Sequence, residues 1–72
     1  MALDLTVNGA PQSIEQPTTG ATLVQVLETL GYNPFLVVVE HNGLIAPRSR
    51  WQDPMIKTGD NLEIVTIVGG GS

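Results

Sequence analysis

The chain has 72 residues, seven acidic and three basic side chains for a net charge of −4, and no cysteine. That length supports one small core, burying roughly 60% of the unfolded surface, with a stability on the order of 5 kcal/mol. Disulfides, a thiolate metal site and a cysteine nucleophile are excluded, and no Lys and Arg cluster marks a nucleic-acid surface.

The opening, MALDLTVNG, has neither the basic nor the apolar region of a signal peptide. The longest apolar run, residues 35–39, is far too short to cross a bilayer. A soluble, cytoplasmic chain is expected, meeting no nucleic acid and no membrane. The acidic balance suits solubility, or a partner with a basic docking face.

In chain order, residues 3–7 alternate apolar and polar as a strand, and Asn8-Gly9 is a hairpin signal because both residues tolerate positive φ. Residues 12–15 form the return strand, and 17–20 a loop. Thr22 opens a helix of about nine residues, with Gln25 completing a capping box. Leu23, Val26, Leu27 and Leu30 fall on one helical face. Gly31 ends the helix and Pro34 prevents its resumption. The stretch FLVVVEHNG predicts a third strand starting at Phe35, followed by a second Asn-Gly turn at Asn42-Gly43. Leu44 and Ile45 begin a short return strand. Residues 47–52 are irregular or a single helical turn, 57–60 a turn, and 61–68 the final strand.

The order is thus β-β-α-β-β-β. One short helix covers one face of a sheet. If the first and last strands are neighbours at its centre, the edges go to the hairpin return strands. That is an α+β, β-grasp (ubiquitin-like) fold, a mixed sheet of four to five strands. Residues 1–68 form the domain and 69–72 a flexible glycine tail.

The third and last strands carry apolar residues on both faces, so one apolar face is left without a helix. Val37, Val39, Val65 and Ile67 are the docking candidates on that face. The alternative is that the segment PRSRWQDPMI folds back over it.

Catalytic chemistry finds little support. His41 is the single histidine, with no nucleophile in view. Asp53, Asp60 and Glu63 match no metal-loop spacing. Gly69-Gly70-Gly71 is not a phosphate loop, since no helix follows to aim N–H groups at an anion. The glycines make a thin peptide that a narrow tunnel in another protein could accept, with the α-carboxylate as the reactive group. Linker-like composition at an ordinary terminus is the other reading.

The chain resembles the ThiS sulfur carrier family of thiamine biosynthesis over its whole length. The resemblance lies in the VNG hairpin, the helix TLVQVLETLG, the segment VVVEHNGLIAPRSRW and the ending TGDNLEIVTIVGGG. It implies a protein cosubstrate rather than an enzyme, monomeric when free. A ThiF-type adenylating enzyme would use ATP and magnesium to activate the C-terminal glycine carboxylate. A persulfide would convert it to a thiocarboxylate, and the thiazole synthase ThiG would take the sulfur. ATP and magnesium belong to the activating partner, and no cofactor or metal to this chain. The family ends on glycine, so Gly71 matches the reactive terminus, with Gly69 and Gly70 entering the partner's channel. Ser72 departs from the pattern and would have to be lost. A carrier for molybdopterin synthesis or RNA thiolation, or a non-covalent β-grasp interaction module, remains an alternative.

Overall fold

Two Asn-Gly turns lay out the sheet. In the computed structural model, which describes residues 2–15 and 20–67, Asn8 and Gly9 take φ of 51° and 82°, and Asn42 and Gly43 take 52° and 87°. Positive φ at both central residues gives the twist that two antiparallel strands need. The first turn joins β1 (Ala2–Val7) to β2 (Ala10–Glu15), and the second joins β3 (Val37–His41) to β4 (Leu44–Ile45). The last strand, β5 (Asn61–Thr66), lies between the hairpins, in the order β2-β1-β5-β3-β4. It runs parallel to β1 and antiparallel to β3. This is the expected β-grasp arrangement, with the return strands at both edges.

The helix α1 (Leu23–Thr29) begins and ends on local chemistry. Thr22 Oγ1 accepts from the Gln25 N–H at 3.1 Å, and Gln25 Oε1 accepts from the Thr22 N–H at 3.0 Å. This reciprocal pair satisfies two donors that the first turn would otherwise leave open. At the other end Gly31, at φ 90°, turns the chain. Gly31 N–H bonds Glu28 O at 3.1 Å and Tyr32 N–H bonds Leu27 O at 2.9 Å, the bond pair of a Schellman stop. The helix is therefore somewhat shorter than expected. Leu23, Val26 and Leu27 are fully buried, while Leu30 is half-buried against the same core.

Two departures from the sequence reading bear on function. Phe35 and Leu36 lie in a 3-10 turn, Pro34–Leu36, rather than in a strand. Asn33 causes this: its side chain accepts from the Phe35 N–H at 3.0 Å and its carbonyl from the Leu36 N–H at 3.0 Å, with Pro34 preset for the first helical position. The final strand ends at Thr66, although the Ile67 N–H still reaches Leu36 O; Val68 lies outside the described residues.

Residues 47–56 join the helix side and leave the helix-free face uncovered, as the docking reading expected and against the alternative in which they fold back over it. After a 3-10 turn at Arg48–Arg50, Trp51 and Ile56 enter the same core as Leu23 and Val26, and the Val24 N–H bonds Trp51 O. The Trp51 indole N–H donates to Ala46 O at 2.9 Å, and Ile56 bridges to Ala21. Arg48 spans the gap beyond two-residue β4: its guanidinium donates to Val37 O at 3.1 Å and lies 4.3 Å from the Trp51 ring centroid. It thus satisfies an edge carbonyl of β3 that β4 is too short to reach.

Leu27 has no exposed surface and sits where helix and sheet meet. Leu27→Ala should lower the unfolding free energy by about 2–5 kcal/mol, measured by chemical denaturation.

Candidate functional site

The pairing of β3 with β5 decides which side chains face out. Val38 lies opposite Val65 and Val39 opposite Ile64. Side chains alternate across a strand, so Val37 and Val39 share the covered face with Leu62 and Ile64. Val37 and Val39 are 1% and 0% exposed. They belong to the core and leave the set of docking candidates. Their neighbours Leu36 and Val38 are the exposed ones.

The helix-free face therefore carries Leu36, Val38, Val65 and Ile67, all exposed. Of the four candidates named from sequence, Val65 and Ile67 stand where expected. The patch lies at the end of the sheet from which β5 leaves, so it leads directly to the C-terminal segment. Gly69, Gly70, Gly71 and Ser72 lie outside the described residues. Toward the other end of the same face, Glu40 and Glu63 are directly paired across β3 and β5. Like charges so placed repel, and a cation on an approaching partner would relieve that repulsion. Farther across the sheet the face turns polar, with Asp4 and Thr6 on β1 and Ser13 on β2, all exposed.

His41 and Asp60 anchor the opposite end of β5. His41 Nε2 is 2.7 Å from Asp60 Oδ2, and both side chains are mostly buried. Asp60 also accepts from the Lys57 N–H at 2.9 Å and from Asn42 Nδ2 at 3.2 Å. Asn42 Oδ1 in turn accepts from the Asn61 N–H at 2.8 Å. The sequence reading singled out His41 and Asp60 separately, without the contact between them. Burial of Asp60 opposes its ionisation, but the bonds from His41, the Lys57 N–H and Asn42 outweigh it and hold the carboxyl below its ordinary value. The cluster fixes where β5 starts; it is not a nucleophile–base pair. Among the described residues no group of His, Asp and Glu is arranged to hold a metal ion. No helix among them is long and apolar enough to cross a membrane.

The ThiS family model matches residues 5–71. The chain belongs to the ThiS family. Its members are small carrier proteins with this ubiquitin-like fold. A crystal structure of the thiamine biosynthesis protein ThiS from Geobacter metallireducens superposes with a TM-score of 0.77 at 30% identity, covering 96% of this chain and all of that one. Among curated proteins, an uncharacterised protein, ycf40, of Trieres chinensis is 41% identical over 54 residues, 75% of this chain and 74% of its own length. A thiazole synthase of Paramagnetospirillum magneticum is 34% identical over 70 residues. There the ThiS-like match takes in 97% of this chain but only 21% of the synthase.

The Asp60 cluster has a testable pH signature. A carboxyl held low in the folded state contributes stability above its unfolded pKa, and that contribution is lost as pH falls through the folded value. Denaturation midpoints of the wild type should drop below about pH 4. In Asp60→Asn the same acid-induced drop should be smaller, because the titrating group is gone. Equal drops in the two proteins would show that Asp60 is not responsible.

Proposed function

We propose that this ThiS-family chain is a sulfur carrier for thiazole formation in thiamine biosynthesis, and that it is a protein cosubstrate rather than an enzyme. The observation that carries the reading is the helix-free apolar face, which runs along β5 toward a glycine-rich tail. The face gives partner enzymes something to hold, and the tail gives them a carboxylate with no bulk around it.

The chemistry belongs to the partners. A ThiF-type adenylating enzyme, using ATP and magnesium, joins the Gly71 carboxylate to AMP and releases pyrophosphate. The acyl adenylate is a good acyl donor because AMP is a good leaving group. A persulfide sulfur displaces AMP, and reductive cleavage of the resulting acyl disulfide by a thiol leaves a thiocarboxylate on Gly71. Thiazole synthase then takes that sulfur. This chain supplies a docking face, a thin tail in Gly69 and Gly70, and no thiol of its own to compete for the activated carbonyl.

Two observations support the assignments. A ThiS-like segment occurs within proteins named thiazole synthase, from Paramagnetospirillum magneticum and Magnetococcus marinus. Joining carrier and acceptor in one chain raises their effective concentration, which favours thiazole formation over molybdopterin synthesis or RNA thiolation as the destination. The match to the family model runs to Gly71 and leaves out Ser72, in keeping with Gly71 as the working terminus.

The docking face and the end of the chain can be tested separately. Val65→Asp should leave the fold intact, because Val65 is 61% exposed. It should weaken binding to the adenylating enzyme and to thiazole synthase, read by calorimetry. Unaltered affinity for both partners would remove Val65 from the interface. At the terminus, one extra residue displaces the carboxylate by about 3.5 Å, where about 1 Å can already cost roughly 100-fold in rate. A chain ending at Gly71, incubated with its cognate adenylating enzyme, ATP and a sulfur source, should show one sulfur-for-oxygen exchange by intact mass. The Ser72-ended chain should react slowly or not at all. Equal rates for the two chains would refute the assignment to Gly71.

A further inference from the structure

The two sides of β5 are not equally occupied. On the β3 side, pairing continues to the end, and the Ile67 N–H reaches Leu36 O. On the β1 side, strand pairing stops after Thr6 with Asn61 and Val7 with Leu62, because β1 turns away at Asn8-Gly9. Asn8 extends the coverage by one step. Its N–H donates to Leu62 O at 2.9 Å, its Oδ1 accepts from the Ile64 N–H at 2.6 Å, and its Nδ2 donates to Ile64 O at 3.1 Å. An amide side chain here does the work of a strand residue.

Main-chain groups alternate in direction along a strand, so Thr66 is the next residue to point toward the β1 side. Neither β1 nor Asn8 reaches it, and among the described residues no bond to its N–H or C=O is found on that side. Thr66 is exposed, as are Val65 and Ile67 beside it. The root of the tail is thus open on both faces and along one edge.

We propose that this edge is a strand-addition site. An extended main-chain segment of the adenylating partner pairs with β5 at Thr66 and holds the tail in register. The proposal rests on the sulfur-carrier reading and adds how the partner reads position along the tail. Gly69, Gly70 and Gly71 offer no side chain by which depth could be measured. Main-chain bonds are what remain, and strand addition takes its affinity from such bonds. The occupant is a partner rather than a second copy. A free edge this short gives a second copy little to pair with, whereas a partner also grips the apolar face and the glycines. Asn8 contributes specificity by closing the edge at Ile64, so that pairing can start only at Thr66.

Residue-resolved amide exchange on the full chain, alone and with the cognate adenylating enzyme, tests this. The Thr66 amide should exchange readily in the free chain and become at least about tenfold slower in the complex. Thr66→Pro removes that donor while sparing the β3 pairing, in which Thr66 contributes no bond. It should bind about 3- to 10-fold more weakly than wild type. If the variant fails to fold, exchange on the wild type decides alone. A complex that forms while Thr66 exchanges at its free rate overturns the edge site and leaves the carrier reading standing. Protection of Thr66 that appears in the free chain with rising protein concentration assigns the edge to a second copy and also overturns it. No complex and no thiocarboxylate would remove both readings.

Discussion

The parallel pairing of Thr6 and Val7 with Asn61 and Leu62 holds the two ends of the sequence together at the centre of the sheet. It is only two residue pairs long, yet it places the last strand between the two hairpins rather than at an edge. Side chains from β1, β2, α1, β3 and β5 then close on one core that includes Leu62, Ile64, Val39 and Leu27. Asp60 stands immediately before this contact. Its bonds to His41, Asn42 and the Lys57 amide tie the start of β5 to both the β3–β4 turn and the preceding loop.

The same constraint produces the functional asymmetry. A strand fixed at its start and covered on one face is firmly held. Because β1 ends early, its last residues project past the first hairpin, held only by β3 and by the Asn8 side chain. The apolar side chains Leu36, Val38, Val65 and Ile67 lie on the uncovered face at that end. A carrier needs a rigid body for recognition and an accessible terminus for chemistry. On the proposed reading one strand serves both, anchored at Asn61 and leading toward the glycines.

Much of this fold is legible in the sequence, for local reasons. The two Asn-Gly pairs specify their turns by positive φ, Thr22 with Gln25 specifies a helix start, and Gly31 specifies its end. Each signal lies within a few residues of what it controls. The faces of β3 were less legible. Residues 35–39 are apolar at every position, so alternation does not say which side is buried. Only the register with β5 does, and it sends Val37 and Val39 inward and Val38 outward. The turn at Phe35 was signalled by Asn33-Pro34, a cap followed by a residue preset for a helical first position, but the apolar run masked it. The His41–Asp60 and Asn8–Ile64 contacts join residues far apart in sequence, and no local pattern announces them. The glycines near the end were conspicuous as composition; the role proposed for them rests on the family and the chemistry.

The central claim is that sulfur leaves this chain from its C-terminal carbonyl and enters a thiazole. The most direct measurement loads the Gly71-ended chain with radiolabelled sulfur as its thiocarboxylate and supplies it to the cognate thiazole synthase with its other substrates. The account predicts label in the thiazole product and an unlabelled carboxylate regenerated on Gly71. Label that stays on the chain, or thiazole formed equally well without it, would contradict the account.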